Sequence, residues 1–307
     1  MRDLLLCLLL VNGSMFALVA QPDTTASNDA LAELEAMNAE AGPVRDYTLA
    51  TFKAERIINM PSTKTTNRGD LVFLVQHRFG AVNQGWRDLF GLDNANTRLG
   101  FEYGISDWLS IGIGRSSFQK YYDGFAKVKL LRQQTGKRNI PVTLAINGGV
   151  GVNTEEARAE IYSITQRMDY ATTVMLARKF TKNLSLQLSG TLLHRNLVRT
   201  REDVNTMILP GIGGRYKFGK RFAVTAEYQP LLHEFTRATQ HSVVSVGVDI
   251  ETGGHVFQLL FSNATAMTPQ QLLAHTSDDW LDGDIHFGFN LVRVFKIGGK
   301  REWEEEE

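Results

Sequence analysis

Residues Leu184–Leu192 read LSLQLSGTL, in which Leu184, Leu186, Leu188 and Leu192 alternate with Ser185, Gln187, Ser189 and Thr191. Successive side chains of a β-strand point to opposite faces, so this stretch is a strand with one apolar and one polar side. The same period-2 pattern recurs along the chain. Val142, Leu144, Ile146, Val150 and Val152 alternate with Thr143, Ala145, Asn147, Gly149 and Gly151. Phe222, Val224, Ala226 and Tyr228 alternate with Arg221, Ala223, Thr225 and Glu227, and Val244 to Ile250 behaves likewise. Thr97, Leu99, Phe101, Tyr103 and Ile105 face away from Asn96, Arg98, Gly100, Glu102 and Gly104.

Twelve such segments start near Gly69, Asn96, Trp108, Asp123, Pro141, Tyr170, Leu184, Ile208, Phe222, Ser242, His255 and Ile285. Each has about ten residues, the length of a tilted membrane-spanning strand. Short turns at Ser106–Asp107, Thr181–Asn183, Gly219–Lys220 and Thr252–Gly254 alternate with long loops at 81–95, 154–169, 199–206, 232–240 and 264–284. Membrane barrels have short turns on one side and long loops on the other. If the first strand starts inside, the short turns fall inside and the long loops outside. The expected fold is therefore all-β, an antiparallel up-and-down transmembrane β-barrel of about 12 strands.

The face compositions separate a membrane barrel from a soluble one. A soluble barrel hides its apolar face, whereas a membrane barrel turns it to lipid and keeps a polar lumen. Here the polar face is rich in Gly, Ser, Thr, Gln and charges, and glycine is scarce in soluble strands. Tyr103, Trp108, Phe180, Phe218, Phe222 and Phe295 gather near the short turns, as an interfacial girdle does. A lipid-facing Lys or Arg at mid-bilayer costs about 2–4 kcal/mol. The charges Arg98, Glu102, Asp123, Lys127, Lys129, Arg195, Arg215, Lys217, Glu227, Asp249 and Glu251, with Gln187, are thus expected to line the lumen.

The rest of the chain agrees with export. The 307 residues carry 33 Lys+Arg against 33 Asp+Glu, which gives no basic field for nucleic acid. Beyond the N-terminus no apolar run reaches the roughly 18 residues of a membrane helix. Residues 1–20 have a basic start, an apolar centre and a small residue, Ala20, before Gln21, and read as a signal peptide. Its removal takes away Cys7, the single cysteine, and with it thiolate chemistry. Residues 21–50 form a polar periplasmic segment, 51–297 the barrel and 298–307 an acidic tail. Thr51–Asn59, TFKAERIIN, reads as a short strand before the array.

Several stretches together resemble a known family: TFKAERIIN, HRFG (77–80), LFGLDNANTRLGFEYGISD (89–107), IGIGRSSFQKYYDGFAKVKLLRQQTG (111–136), LHRNLV (193–198), GGRYKF (213–218), DIETGGHVFQLLFSN (249–263) and GDIHFGFNLVRVF (283–295). They resemble an uncharacterised family of bacterial outer-membrane β-barrels, a domain of unknown function numbered fifty-seven seventy-seven. The resemblance spans about Thr51 to Ile297. It implies a barrel in the bacterial outer membrane, and no known activity. Barrel chains often end on an aromatic at the last strand; here GGKREWEEEE follows.

No pattern points to catalysis or a cofactor. The clusters Gly112–Gly114, Gly148–Gly151 and Gly211–Gly214 lack the following helix that a phosphate loop needs, and read as strand positions where neighbours crowd. His77, His194, His255 and His286 lie in or beside strands; alternation puts His77 outward and His286 inward, against a shared metal. The aspartates 278, 279, 282 and 284 do not have EF-hand spacing. His194 near Ser189 or Thr191 is the kind of pair that can be constructed anywhere in a chain of this size, and does not mark a hydrolase. The expected partners are outer-membrane lipid and a small polar or anionic solute passing a narrow channel. The alternative is a closed barrel that anchors or presents a periplasmic protein.

Overall fold

A computed structural model describes residues 45–198, 203–232, 240–272 and 274–298. The signal-peptide assignment, most of the 21–50 segment and the tail beyond Gly298 lie outside the described residues.

A short strand, β1 (Arg45–Tyr47), comes first. The barrel strands are β2 (Asp70–Ala81), β3 (Ala95–Ser106), β4 (Leu109–Ser116), β5 (Tyr121–Leu131), β7 (Thr143–Asn153), β8 (Met168–Lys179), β9 (Leu184–Arg195), β10 (Thr206–Lys217), β11 (Phe222–Gln229), β12 (Val243–Thr252), β13 (His255–Ser262) and β14 (His286–Lys296). Each starts within two residues of its sequence-based expectation. Neighbours pair antiparallel in chain order, and β14 pairs with β2, so twelve strands close into a barrel. Closure leaves no sheet edge.

The faces are inverted relative to a soluble protein. On β9, Leu188 is 56% exposed while Gln187 is fully buried. Ile113 is 66% exposed, whereas Arg98 and Lys127 are 1% exposed. Trp108, Phe180, Phe218, Phe222 and Phe295 are exposed at the short-turn end. Arg178 and Arg293 lie over the Phe180 and Phe295 rings, at 5.1 and 4.7 Å from the ring centroids.

Loop lengths alternate less strictly than expected. At the short-turn end the β5–β7 connection spans 132–142, because it carries β6 (Gln134–Gly136), which pairs with β1. At the opposite end β4 and β5 are joined by only Ser117–Lys120.

The interior is filled, not open. From the long-loop end, the chain between β13 and β14 folds inward through a helical turn, Pro269–Leu272. Ala264, Leu272 and Ala274 pack there on inward Leu193, Met207, Leu209 and Val243. The part of the inner wall near that mouth formed by β9, β10 and β12 is therefore apolar, a departure from the uniformly polar lumen that alternation implies. From the short-turn end, residues 52–66 enter the barrel and are buried almost throughout.

Candidate functional site

Residues 52–66 correct the reading of TFKAERIIN as a strand. They form a re-entrant hairpin. Ser62 N donates to the Glu55 carbonyl at 3.0 Å and Ile57 N to the Met60 carbonyl at 2.9 Å, which leaves 57–60 as the tip. No neighbouring strand is available inside a closed barrel, so the segment satisfies its backbone groups through side chains of the wall.

The wall meets that demand from many sides. The Glu227 carboxylate (β11) accepts the backbone N–H of Ile58 at 3.2 Å, of Asn59 at 2.9 Å and of Met60 at 3.0 Å. Successive amides pointing to one centre make an anion nest, and here a wall carboxylate fills it. Gln258 (β13) donates to the Ile57 carbonyl at 2.8 Å and Asn290 (β14) to the Ile58 carbonyl at 3.0 Å. Asn59 Nδ2 donates to Ser245 at 2.9 Å, and Arg78 Nη2 (β2) donates to Asn59 Oδ1 at 2.7 Å. On the return limb, Gln187 accepts from Thr63 N at 3.1 Å and donates to the Pro61 carbonyl at 2.8 Å. Lys127 Nζ (β5) donates to the Lys64 and Glu55 carbonyls at 2.9 and 3.3 Å.

Apolar contacts finish the seat. Phe52, Ile57 and Met60 pack with Ala177, and Ala54 packs with Val72, Leu74, Val256 and Val292. The glycines opposite the hairpin are small for a steric reason. A Cβ at Gly213 would stand 2.7 Å from Ile57 Cδ1, and one at Gly211 2.8 Å from Met60 Sδ. At Gly114 it would meet the Arg98 guanidinium. Beside Glu55, Glu102, Asp123 and Lys127 a cavity of about 20 Å³ remains, room for about one water.

Alternation places Arg98, Glu102, Lys127, Lys129, Arg195, Arg215, Lys217, Glu227 and Asp249 on the inward face, and most of these charges are paired. Arg98 holds Asp123 through two bonds, at 2.8 and 2.5 Å, and donates to Gln76 at 3.1 Å. Glu102 lies 3.4 Å from Lys127 Nζ and accepts from Ser110 at 2.6 Å. Arg215 donates to Asp249 at 3.0 Å and also pairs with Glu251. Arg195 is buried near the long-loop mouth, beside Asp169 and Arg167. Lys217 and Lys129 sit at the short-turn mouth, half-buried. Lys127 thus acts as a clamp on the hairpin, where the sequence suggested a pore charge.

The remaining motifs resolve separately. His77 faces outward, stacks on Phe289 with centroids 5.1 Å apart and shares a 2.8 Å hydrogen bond with Thr97. His286 faces inward, bonded to Asp278 at 2.8 Å and to the Phe79 carbonyl at 2.9 Å. His194 lies outward with Thr206 at 2.8 Å, on the face opposite Ser189 and Thr191, so no hydrolase pair forms there. His255 opens β13 at an exposed turn. Of the loop carboxylates, Asp278 and Asp279 pair with His286 and His241, and Asp284 accepts from Asn83. Among the described residues no group of acids, histidines and cysteines has the geometry of a metal site.

Sequence reasoning did not single out Asn59, Arg78, Gln258 or Asn290. One signal pointed to the hairpin: the family likeness begins at Thr51, well before the first barrel strand. A stretch with Glu and Arg among Ile and Met, kept outside the array, needs partners of both kinds.

An apolar exterior around a polar, hairpin-filled interior defines a membrane-embedded, internally plugged β-barrel. The chain belongs to the family described as a membrane-bound beta barrel domain (DUF5777), whose model matches residues 52–295 and so includes the hairpin. No curated protein matches the sequence. Among solved structures, the chain is similar to a KdgM porin, with 8% identity, a TM-score of 0.41, and coverage of 75% of this chain and 99% of that one. It is also similar to the COG4313 outer membrane channel from Pseudomonas putida F1, with 11% identity, a TM-score of 0.46, and 76% and 98% coverage. A third is LpxR from Salmonella typhimurium, with 12% identity, a TM-score of 0.35, and 74% and 99% coverage.

Proposed function

We propose that this protein is a channel of the bacterial outer membrane for small polar or anionic solutes, at rest closed by its own hairpin 52–66. In this reading the short-turn end faces the periplasm, and the protein carries out no catalytic step. The observation that carries it is the seat of the hairpin tip. Ile58, Asn59 and Met60 are held through a wall carboxylate, and the neighbouring contacts run to Gln, Asn, Ser and Arg side chains. Water can replace each of these bonds, so a lumen vacated by the hairpin can hydrate. A permanently filled barrel does not need such polar groups for stability, since an apolar core often replaces buried charges at equal or lower cost.

The test is single-channel recording of the refolded barrel at two salt concentrations. The wild-type protein is expected to be mostly silent, and deletion of residues 54–63 to give discrete, ion-selective steps. The filled lumen also suits a closed anchor or platform for a periplasmic protein. A deletion variant that stays silent, yet is folded by its resistance to heat and detergent, would establish that reading instead.

A further inference from the structure

A cavity of about 330 Å³ opens at the short-turn mouth. One side is formed by the two limbs of the hairpin, through Phe52, Lys53, Thr63 and Lys64. The other is the wall and its β5–β7 connection, through Lys129, Arg132 and Thr143. Four cations line it and no carboxylate does. Two of them are compensated: Lys64 by Glu55 at 2.7 Å, and Lys53 weakly by Glu251 at 3.8 Å. The other two are not. Lys129 has no ion-pair or hydrogen-bond partner for its side chain among the described residues, and Arg132 meets only the face of Tyr47, 4.4 Å from the ring centroid. The nearby Asp107 carboxylate, which accepts the Arg68 backbone N–H at 3.3 Å, forms no ion pair with either of them.

Two cations without an ion pair, half-buried in one concavity, repel each other and attract anions. The hydroxyl of Thr143, which accepts from Gln133 N at 3.1 Å, keeps its proton free to donate into this space. We infer that the mouth cavity binds a small multivalent oxyanion, a polycarboxylate or a phosphate, between Lys129 and Arg132 of the wall and Lys53 and Lys64 of the hairpin. The site exists only while the hairpin is seated, because withdrawal removes one of its two sides. An anion that binds only the seated form stabilises it. The ligand therefore holds the barrel shut from the periplasmic side. Its gating consequence rests on the channel reading; the binding itself does not.

The experiment is calorimetric titration of citrate, and separately of inorganic phosphate, into the folded full-length barrel in zwitterionic detergent. Saturable binding that weakens with added sodium chloride is expected, and at least tenfold weaker binding in K129Q/R132Q. At ten times Kd, citrate is expected to slow hydrogen exchange of residues 52–66 about tenfold. If K129Q/R132Q fails to fold, K53Q, which alters the most exposed of the four cations, is expected to weaken citrate binding. Absence of binding by the wild-type protein, or binding indifferent to these substitutions, overturns the proposal. So does binding that appears only after removal of residues 299–307, which would make the acidic tail the occupant. Loss of citrate binding in discs containing phosphatidylglycerol would assign the site to a lipid headgroup and also overturn it. Citrate binding that persists in a protein silent with and without residues 54–63 would overturn the channel reading alone.

Discussion

The Asn59 backbone nitrogen lies 2.9 Å from the Glu227 carboxylate, although 168 positions separate the two residues in the chain. That bond and its two neighbours join the tip of an N-terminal hairpin to strand β11 of the barrel wall. Through it, a segment that belongs to no sheet becomes the filling of one.

Glu227→Ala leaves three buried amides without an acceptor. Hydrogen bonds to a charged group contribute about 1.5–3 kcal/mol each. Loss of even one shifts the seated-to-withdrawn ratio by about tenfold, since about 1.4 kcal/mol is one decade. The variant is expected to fold as a barrel but to show frequent openings in bilayer recordings. Openings no more frequent than in the wild type would show that Glu227 does not hold the gate.

Gly213→Leu tests the seat without altering charge. The added side chain needs space that Ile57 and Met60 fill, with Ile57 Cδ1 only 2.7 Å from the first added carbon. Overpacking costs about 1–3 kcal/mol, which withdrawal of the hairpin relieves. Openings should rise here, and not in Gly190→Ala, where an added Cβ meets nothing within 4 Å.

Asp123→Asn strips Arg98 of its bidentate partner while Arg98 stays 1% exposed. Removing one partner of a buried ion pair costs about 3–5 kcal/mol, whereas replacing both by apolar residues is often neutral. Urea unfolding from lipid vesicles is expected to show a large loss for D123N. The double variant R98M/D123L should recover most of it; a double variant no better than D123N would contradict this account.

Acid should loosen the long-loop stopper before the barrel itself. The hydrogen bond from His286 holds the Asp278 carboxyl below its ordinary value of 3.8. A carboxyl lowered in the folded state adds stability above its unfolded value, and that stability is lost as pH falls through the folded value. Pepsin cleavage within 264–285 is expected to be slow at pH 5 and to accelerate as the pH falls below 3.8, with D278N cleaved fast throughout. Equal rates for D278N and the wild type at pH 5 would remove Asp278 from the stopper.

The strands were legible because their signal is local. Side-chain alternation in LSLQLSGTL follows from backbone geometry alone, and the even count and turn positions follow from repeating it. Which face meets lipid was less directly legible, since a soluble barrel has the same period; the glycines and charges of the polar face settled it. Of the glycine clusters, Gly114 is crowded by Arg98, Gly211 by Met60 and Gly213 by Ile57, and Gly151 by Tyr121, whereas a Cβ at Gly148 would meet nothing within 4 Å.

The chain's own sequence thus determined a twelve-stranded barrel and, to within two residues, where each strand starts. Only the tertiary structure decided that the interior is filled. The hairpin's polar groups are satisfied across 124 residues from Thr63 to Gln187 and across 232 from Ile58 to Asn290. No periodicity encodes pairings at such separations. They exist because closure brings distant strands around one axis, where the unpaired backbone of residues 52–66 finds donors and acceptors on every side.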